Sequence, residues 1–185
     1  MKERLVHKNL SKNTVRLLLL MAAAAVGAAA GALSGTDMFF EDTASFIAAY
    51  RKMSPPGLTA WTSLKGLIIL TVVCFLLGFS AVGAPLEICV PFFYGVGFGA
   101  AAGGMIRTGC GTELVRFIPG GLIAVFTLAL AARESLRMSG AVFRRTFLPD
   151  EYTPADIALY VKKFFIIIIF GIFAAAADCI AAIVF

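Results

Sequence analysis

Apolar residues along this chain fall in long, nearly unbroken runs, separated by short polar or basic stretches. A helix needs about 20 apolar residues to cross the roughly 30 Å of a bilayer's hydrocarbon. The first such run covers 17–33, with a small-residue core at Ala22–Ala32. Residues 66–106 hold a single charge, Glu87. As one helix that stretch would extend about 60 Å, twice the membrane. Ser80-Ala81-Val82-Gly83-Ala84-Pro85 supplies the break, because Gly and Pro end one helix and start the next. The pattern therefore predicts spans near 62–81 and 85–106, a fourth over 114–132 and a fifth over 164–185. The expected fold is all-α: one integral membrane domain, a polytopic transmembrane helical bundle of five spans.

Two stretches fit neither a span nor a tight turn. Residues 34–61 open with Asp37, Glu41 and Asp42, after which Phe39, Phe40, Phe46 and Tyr50 recur near helical spacing. The pattern predicts a helix lying in the interface, ended by Pro55-Pro56, with Trp61 as an interface anchor. These aromatics are candidate contacts for a partner, or simply for lipid. Residues 133–163 interleave Arg133, Arg137, Arg144 and Arg145 with Leu136, Met138, Val142, Phe143 and Phe147, a basic amphipathic loop suited to anionic headgroups. Thr153-Pro154-Ala155-Asp156 reads as the start of a helix that runs into the fifth span.

Charge gives the direction of threading. With the N-terminus in the cytoplasm, eleven Lys and Arg lie inside and five outside, so the expected topology is N-in and C-out. Ala30-Gly31-Ala32 also fits a leader-cleavage pattern, though weakly within so alanine-rich a run. The chain is 60% hydrophobic and 15% charged, which argues against a soluble domain and against disorder. The net charge of +5 is not gathered into a nucleic-acid-binding face.

The candidate chemistry is sparse. His7 is the single histidine, and Cys74, Cys89, Cys110 and Cys179 are too far apart for a metal motif. There is no phosphate loop, HExxH or GxSxG, so neither an enzyme nor a cofactor is expected. Glu87 follows Pro85 in the first turn of the third span, at the cytoplasmic edge, where the helix dipole favours a carboxylate. Asp178 lies in the last span near its outer end, within reach of Arg107 or Arg116. Both are candidate intramembrane polar sites. Pro91 and Pro119 each remove a helical hydrogen bond, and Pro119-Gly120-Gly121 could break the fourth span. Gly27 and Gly31 lie four apart, as do Gly95, Gly99 and Gly103 in turn. Such small faces suit close helix packing, in a tight bundle or in a homo-oligomer. Pro kinks beside Glu87 and Asp178 also fit a transporter or an ABC-type permease subunit.

The middle of the chain resembles the stage II sporulation protein M family. Phe75-Leu-Leu-Gly-Phe-Ser-Ala-Val-Gly-Ala-Pro85 is similar to that family's LGxSxxGxP stretch, and Tyr94-Gly-Val-Gly-Phe-Gly99 to its KGxxxGF segment. Phe117-Ile118-Pro119 matches a later proline-centred stretch. Tyr94 stands where the family carries a basic residue, and Gly120-Gly121 follows Pro119 where some relatives carry a histidine-containing pattern. The resemblance implies a non-enzymatic membrane scaffold for engulfment during sporulation. Its partners would be lipid and the extracytoplasmic peptidoglycan hydrolases of the stage II sporulation protein D and P types.

Overall fold

The computed structural model describes residues 2–34, 56–107, 109, 111–147 and 156–184. They form five helices: α1 (Lys2–Ser34), α2 (Pro56–Leu77), α3 (Ala84–Arg107), α4 (Gly111–Phe147) and α5 (Ile157–Val184). The fold is all-helical, and α1, α3, α4 and α5 are each long and apolar enough to cross a membrane. The uninterrupted apolar part of α2 is shorter, Leu64–Leu77. Large apolar side chains line the outside of the bundle, among them Leu19, Ile69, Phe93, Leu122, Phe165 and Phe173, each at least half exposed. That is the surface of a protein whose solvent is lipid.

Glycine contacts fix the relative directions of the helices. A Cβ added at Gly95 would meet the backbone of Ala24, one at Gly99 that of Ala28, and one at Gly103 that of Ala32. Residue numbers rise together on both helices, so α1 and α3 run parallel. A parallel pair needs a return between them, and α2 supplies it, joined to α3 by the six-residue turn 78–83. The α3–α4 link is tighter still, with Gly109 at φ 72, a left-handed geometry that glycine adopts without strain. On α5, Tyr160 contacts Phe75 and Gly171 lies against Leu67, so α5 is antiparallel to α2. The five described helices thus alternate in direction along the chain.

Several boundaries differ from the sequence expectation. The return helix starts at Pro56 and ends at Leu77, not over 62–81. Pro56 opens α2, since a first-turn proline has no hydrogen bond to lose, and the interfacial helix expected before Pro55-Pro56 falls outside the described residues. Gly78 then starts the turn, with its N–H on the Cys74 carbonyl at 3.1 Å. The larger correction concerns the basic loop expected over 133–163. Residues 133–147 continue α4 without a break, giving a helix about 55 Å long. Residues 157–163 already belong to α5. Ala131-Ala132-Arg133-Glu134-Ser135-Leu136-Arg137-Met138 contains strong helix formers, and loss of hydropathy there marks the end of a span rather than of the helix. Nor does Pro119-Gly120-Gly121 break α4. At the start of α5, Asp156 acts as the N-cap, accepting the Leu159 N–H at 2.9 Å.

Candidate functional site

The polar groups of the bundle gather at the end holding the α2–α3 turn, around Glu87. This carboxylate was expected at an edge where it need not be buried; it is instead 0% exposed. α4 overlaps the hairpin at this end, which closes the site over.

Three hydroxyls from α4 and α5 tie down the backbone of α2 and its turn. Ser135 Oγ lies 2.5 Å from the Cys74 carbonyl, Tyr160 donates to the Phe75 carbonyl at 2.9 Å, and Ser139 donates to the Ser80 carbonyl at 2.7 Å. The Cys74 and Ser80 carbonyls already accept the Gly78 and Gly83 N–H groups, so Ser135 and Ser139 add a second partner there, while Tyr160 serves a carbonyl of the last turn of α2, where intrahelical donors run out. Ser135 Oγ also lies 2.7 Å from Glu87 Oε1. Glycines make the room: a Cβ at Gly78 would strike the Tyr160 hydroxyl, and one at Gly83 would strike the Leu77 carbonyl and come within 3.2 Å of Glu87 Oε1. Phe75 stacks on Tyr160 with ring centroids 5.2 Å apart, while Phe79 and Phe164 pack edge-on around them. Cys74 is fully buried against this cluster, where its thiol serves as a small apolar group. Pro91, one turn beyond Glu87, is buried too, and α3 continues through it. Pro85 sits exposed in the first turn of α3.

One residue from Ser135, Glu134 organises a second set of charges. Its Oε1 accepts Arg133 at 2.6 Å and its Oε2 accepts Lys163 at 2.6 Å, with Arg137 at 3.8 Å. Glu134 is 6% exposed, so this one acid anchors the basic end of α4 to α5.

At the opposite end, Asp178 is 8% exposed and its carboxylate lies against Gly120, where any Cβ would collide with it. Arg107, one of its two expected partners, instead donates to the Ala32 carbonyl at 2.6 Å, clasping the ends of α3 and α1 together. Pro119, beside Gly120, is exposed.

Between the two ends runs the glycine seam. Gly27 abuts the Phe92 carbonyl and Gly31 the Val96 carbonyl, matching Gly95, Gly99 and Gly103 from the other side. The small-residue spacing is used within one chain, between α1 and α3. Tyr94, where the resembling family is basic, is 8% exposed and sits in the core with Ala24, Leu67 and Leu128.

Trp61 lies in α2, 55% exposed, with Lys65 Nζ 5.1 Å from its ring centre. Lys65 thus directs its charge along α2 toward Trp61 instead of into the lipid-facing middle. Phe39, Phe40, Phe46, Tyr50 and Cys110 lie outside the described residues.

Ser135, Ser139, Tyr160 and Glu134 were not singled out in the sequence. Glu134 had a readable signal, a lone acid flanked by Arg133 and Arg137. The hydroxyls had none, because their partners are backbone carbonyls at least 59 residues away in the chain.

Among known protein families, curated proteins and solved structures, no match to this chain is found.

Proposed function

We propose that this protein is a non-enzymatic membrane scaffold of the stage II sporulation protein M kind, holding extracytoplasmic peptidoglycan hydrolases at a bacterial plasma membrane during engulfment. The observation that carries the reading is the use made of the residues behind the resemblance. Gly78, Ser80 and Gly83 shape the turn that α4 and α5 clamp, and Gly95 and Gly99 seat α1. Each serves to hold helices together, as a scaffold requires. The alternating passes and the basic end at Arg133, Arg137, Arg144, Arg145, Lys162 and Lys163 suit a cytoplasmic hairpin end. The N-terminus then lies inside and the C-terminus outside, and the partner surface falls on residues 34–63 and 107–113.

A second reading, a transporter or permease subunit, draws on Glu87 and Asp178, two buried acids at opposite ends of the bundle. Crosslinking in membranes, pull-down through a tag on this chain and mass spectrometry separate the two. The scaffold reading expects wall hydrolases in the pull-down, lost when 34–63 is replaced by a neutral linker. Their absence, together with solute flux in liposomes holding the purified protein alone, would overturn it.

A further inference from the structure

Hydrogen counting at Ser135 leads to an inference that stands apart from the scaffold reading. Ser135 Oγ makes two short oxygen–oxygen contacts, to the Cys74 carbonyl at 2.5 Å and to Glu87 Oε1 at 2.7 Å. Each needs a hydrogen between the oxygens, and a hydroxyl carries one. A backbone carbonyl has no hydrogen to give. The Tyr160 hydroxyl, close by across Gly78, directs its own hydrogen to the Phe75 carbonyl. The missing hydrogen can come only from the carboxyl group itself.

We infer that Glu87 is a proton-binding site: it is held as a neutral carboxylic acid that donates through Oε1 to Ser135, which passes its own hydrogen to the Cys74 carbonyl. The proton thereby completes a relay joining α3, α4 and the end of α2. Glu87 Oε2 supports the assignment. It is buried and has no hydrogen-bond partner. A carbonyl oxygen of a neutral acid tolerates that far better than a carboxylate oxygen would. Among the described residues no group of three or more His, Cys, Asp or Glu side chains is placed to hold a metal ion there.

Among the described residues, the groups packed around Glu87 offer no countercharge. α2 presents the Cys74 thiol and α5 the Tyr160 phenol. α1 brings Leu20 to the same cluster. From α4 the neighbouring ionisable group is Glu134, itself an acid, whose ring of Arg133, Arg137 and Lys163 is directed to its own carboxylate.

The test is infrared difference spectroscopy of the full chain in liposomes, wild type against Glu87→Gln. At neutral pH the expected difference is the carbonyl stretch of a neutral carboxylic acid, shifted in Ser135→Ala and bleached at alkaline pH. Glutamine copies the shape of the neutral acid and can donate to Ser135, so Glu87→Gln should assemble and melt with the wild type. Its melting should also escape the alkaline loss of stability that the wild type shows. A difference made of carboxylate stretches at neutral pH would overturn the inference. So would a Gln variant that fails to assemble, since a neutral isostere should suffice.

Discussion

The glycine seam and the hairpin end hold different helix pairs of one bundle by opposite means. Along the seam, α1 meets α3 backbone to backbone: Gly27 and Gly31 face Phe92 and Val96, while Gly95 and Gly99 face Ala24 and Ala28. The attraction there is mainly dispersion summed over close contacts, with the Arg107 hydrogen bond to the Ala32 carbonyl at its far end. At the hairpin end the helices are joined through the side chains of Ser135, Ser139, Tyr160 and Glu134. Steric repulsion rises steeply as atoms are pushed together, whereas hydrogen bonds depend on having both partners. The seam should therefore be ruined by one added carbon and indifferent to charge. The hairpin end should survive isosteres and fail when a donor or an acceptor is deleted.

The sharpest way to break the comparison is Gly99→Val. Its first added carbon already collides with the Ala28 carbonyl, and neither backbone can step aside without dragging its neighbours. Overpacking of this kind typically costs about 1–3 kcal/mol, and a backbone obstacle places it at or above the upper end. The expected outcome is a large fall in melting temperature in detergent micelles, or loss of the assembled fold. An unchanged melting curve would mean that α1 does not sit on α3.

The second effect is smaller and belongs to the other region. Glu134→Ala removes the acceptor for Arg133 and Lys163, two cations whose side chains are only 27% and 29% exposed. Leaving them without it should cost about 1–3 kcal/mol. Lys163→Met alone should cost less, because Arg133 still holds Glu134. In a double-mutant cycle the pair should lose clearly less than the sum of the single changes. Strict additivity would show that the ion pair carries no coupling and that the basic end is held by packing alone.

The two regions were unequally readable from the residues. The seam shows in the sequence because close packing in lipid leaves a periodic mark: Gly27/Gly31 and Gly95/Gly99/Gly103 repeat every four positions. The turn was readable as well, since Gly83 and Pro85 interrupt an apolar run too long for one span. The hairpin end was not, for a physical reason. A hydroxyl that caps a distant carbonyl needs no particular neighbour in sequence, so Ser135, Ser139 and Tyr160 look like any other serine or tyrosine. Burial of Glu87 was hidden by the same gap, because the segment that covers it, 133–139, resembles a solvated basic loop until α4 is known to continue through it. Where a span ends and where a helix ends are separate questions, and hydropathy answers only the first.

The smallest predicted effect compares two adjacent glycines near the end of α3. A Cβ at Gly103 would come 3.1 Å from both the Cα and the carbonyl oxygen of Ala32, so α1 or α3 must give by a few tenths of an ångström. A Cβ at Gly104 would meet nothing within 4 Å, because that position is exposed, away from the seam. Alanine is favoured over glycine inside a helix by up to about 1 kcal/mol, chiefly through the entropy of the unfolded chain. Gly104→Ala should collect that gain and raise the melting temperature slightly. Gly103→Ala gets the same entropic gain but must also push on Ala32, whose carbonyl is already engaged by Arg107. It should therefore be neutral or destabilising. Substitutions of identical chemistry, one residue apart, are thus expected to differ in sign. If both stabilise equally, the seam ends before Gly103 and the Arg107 clasp alone holds the ends of α1 and α3.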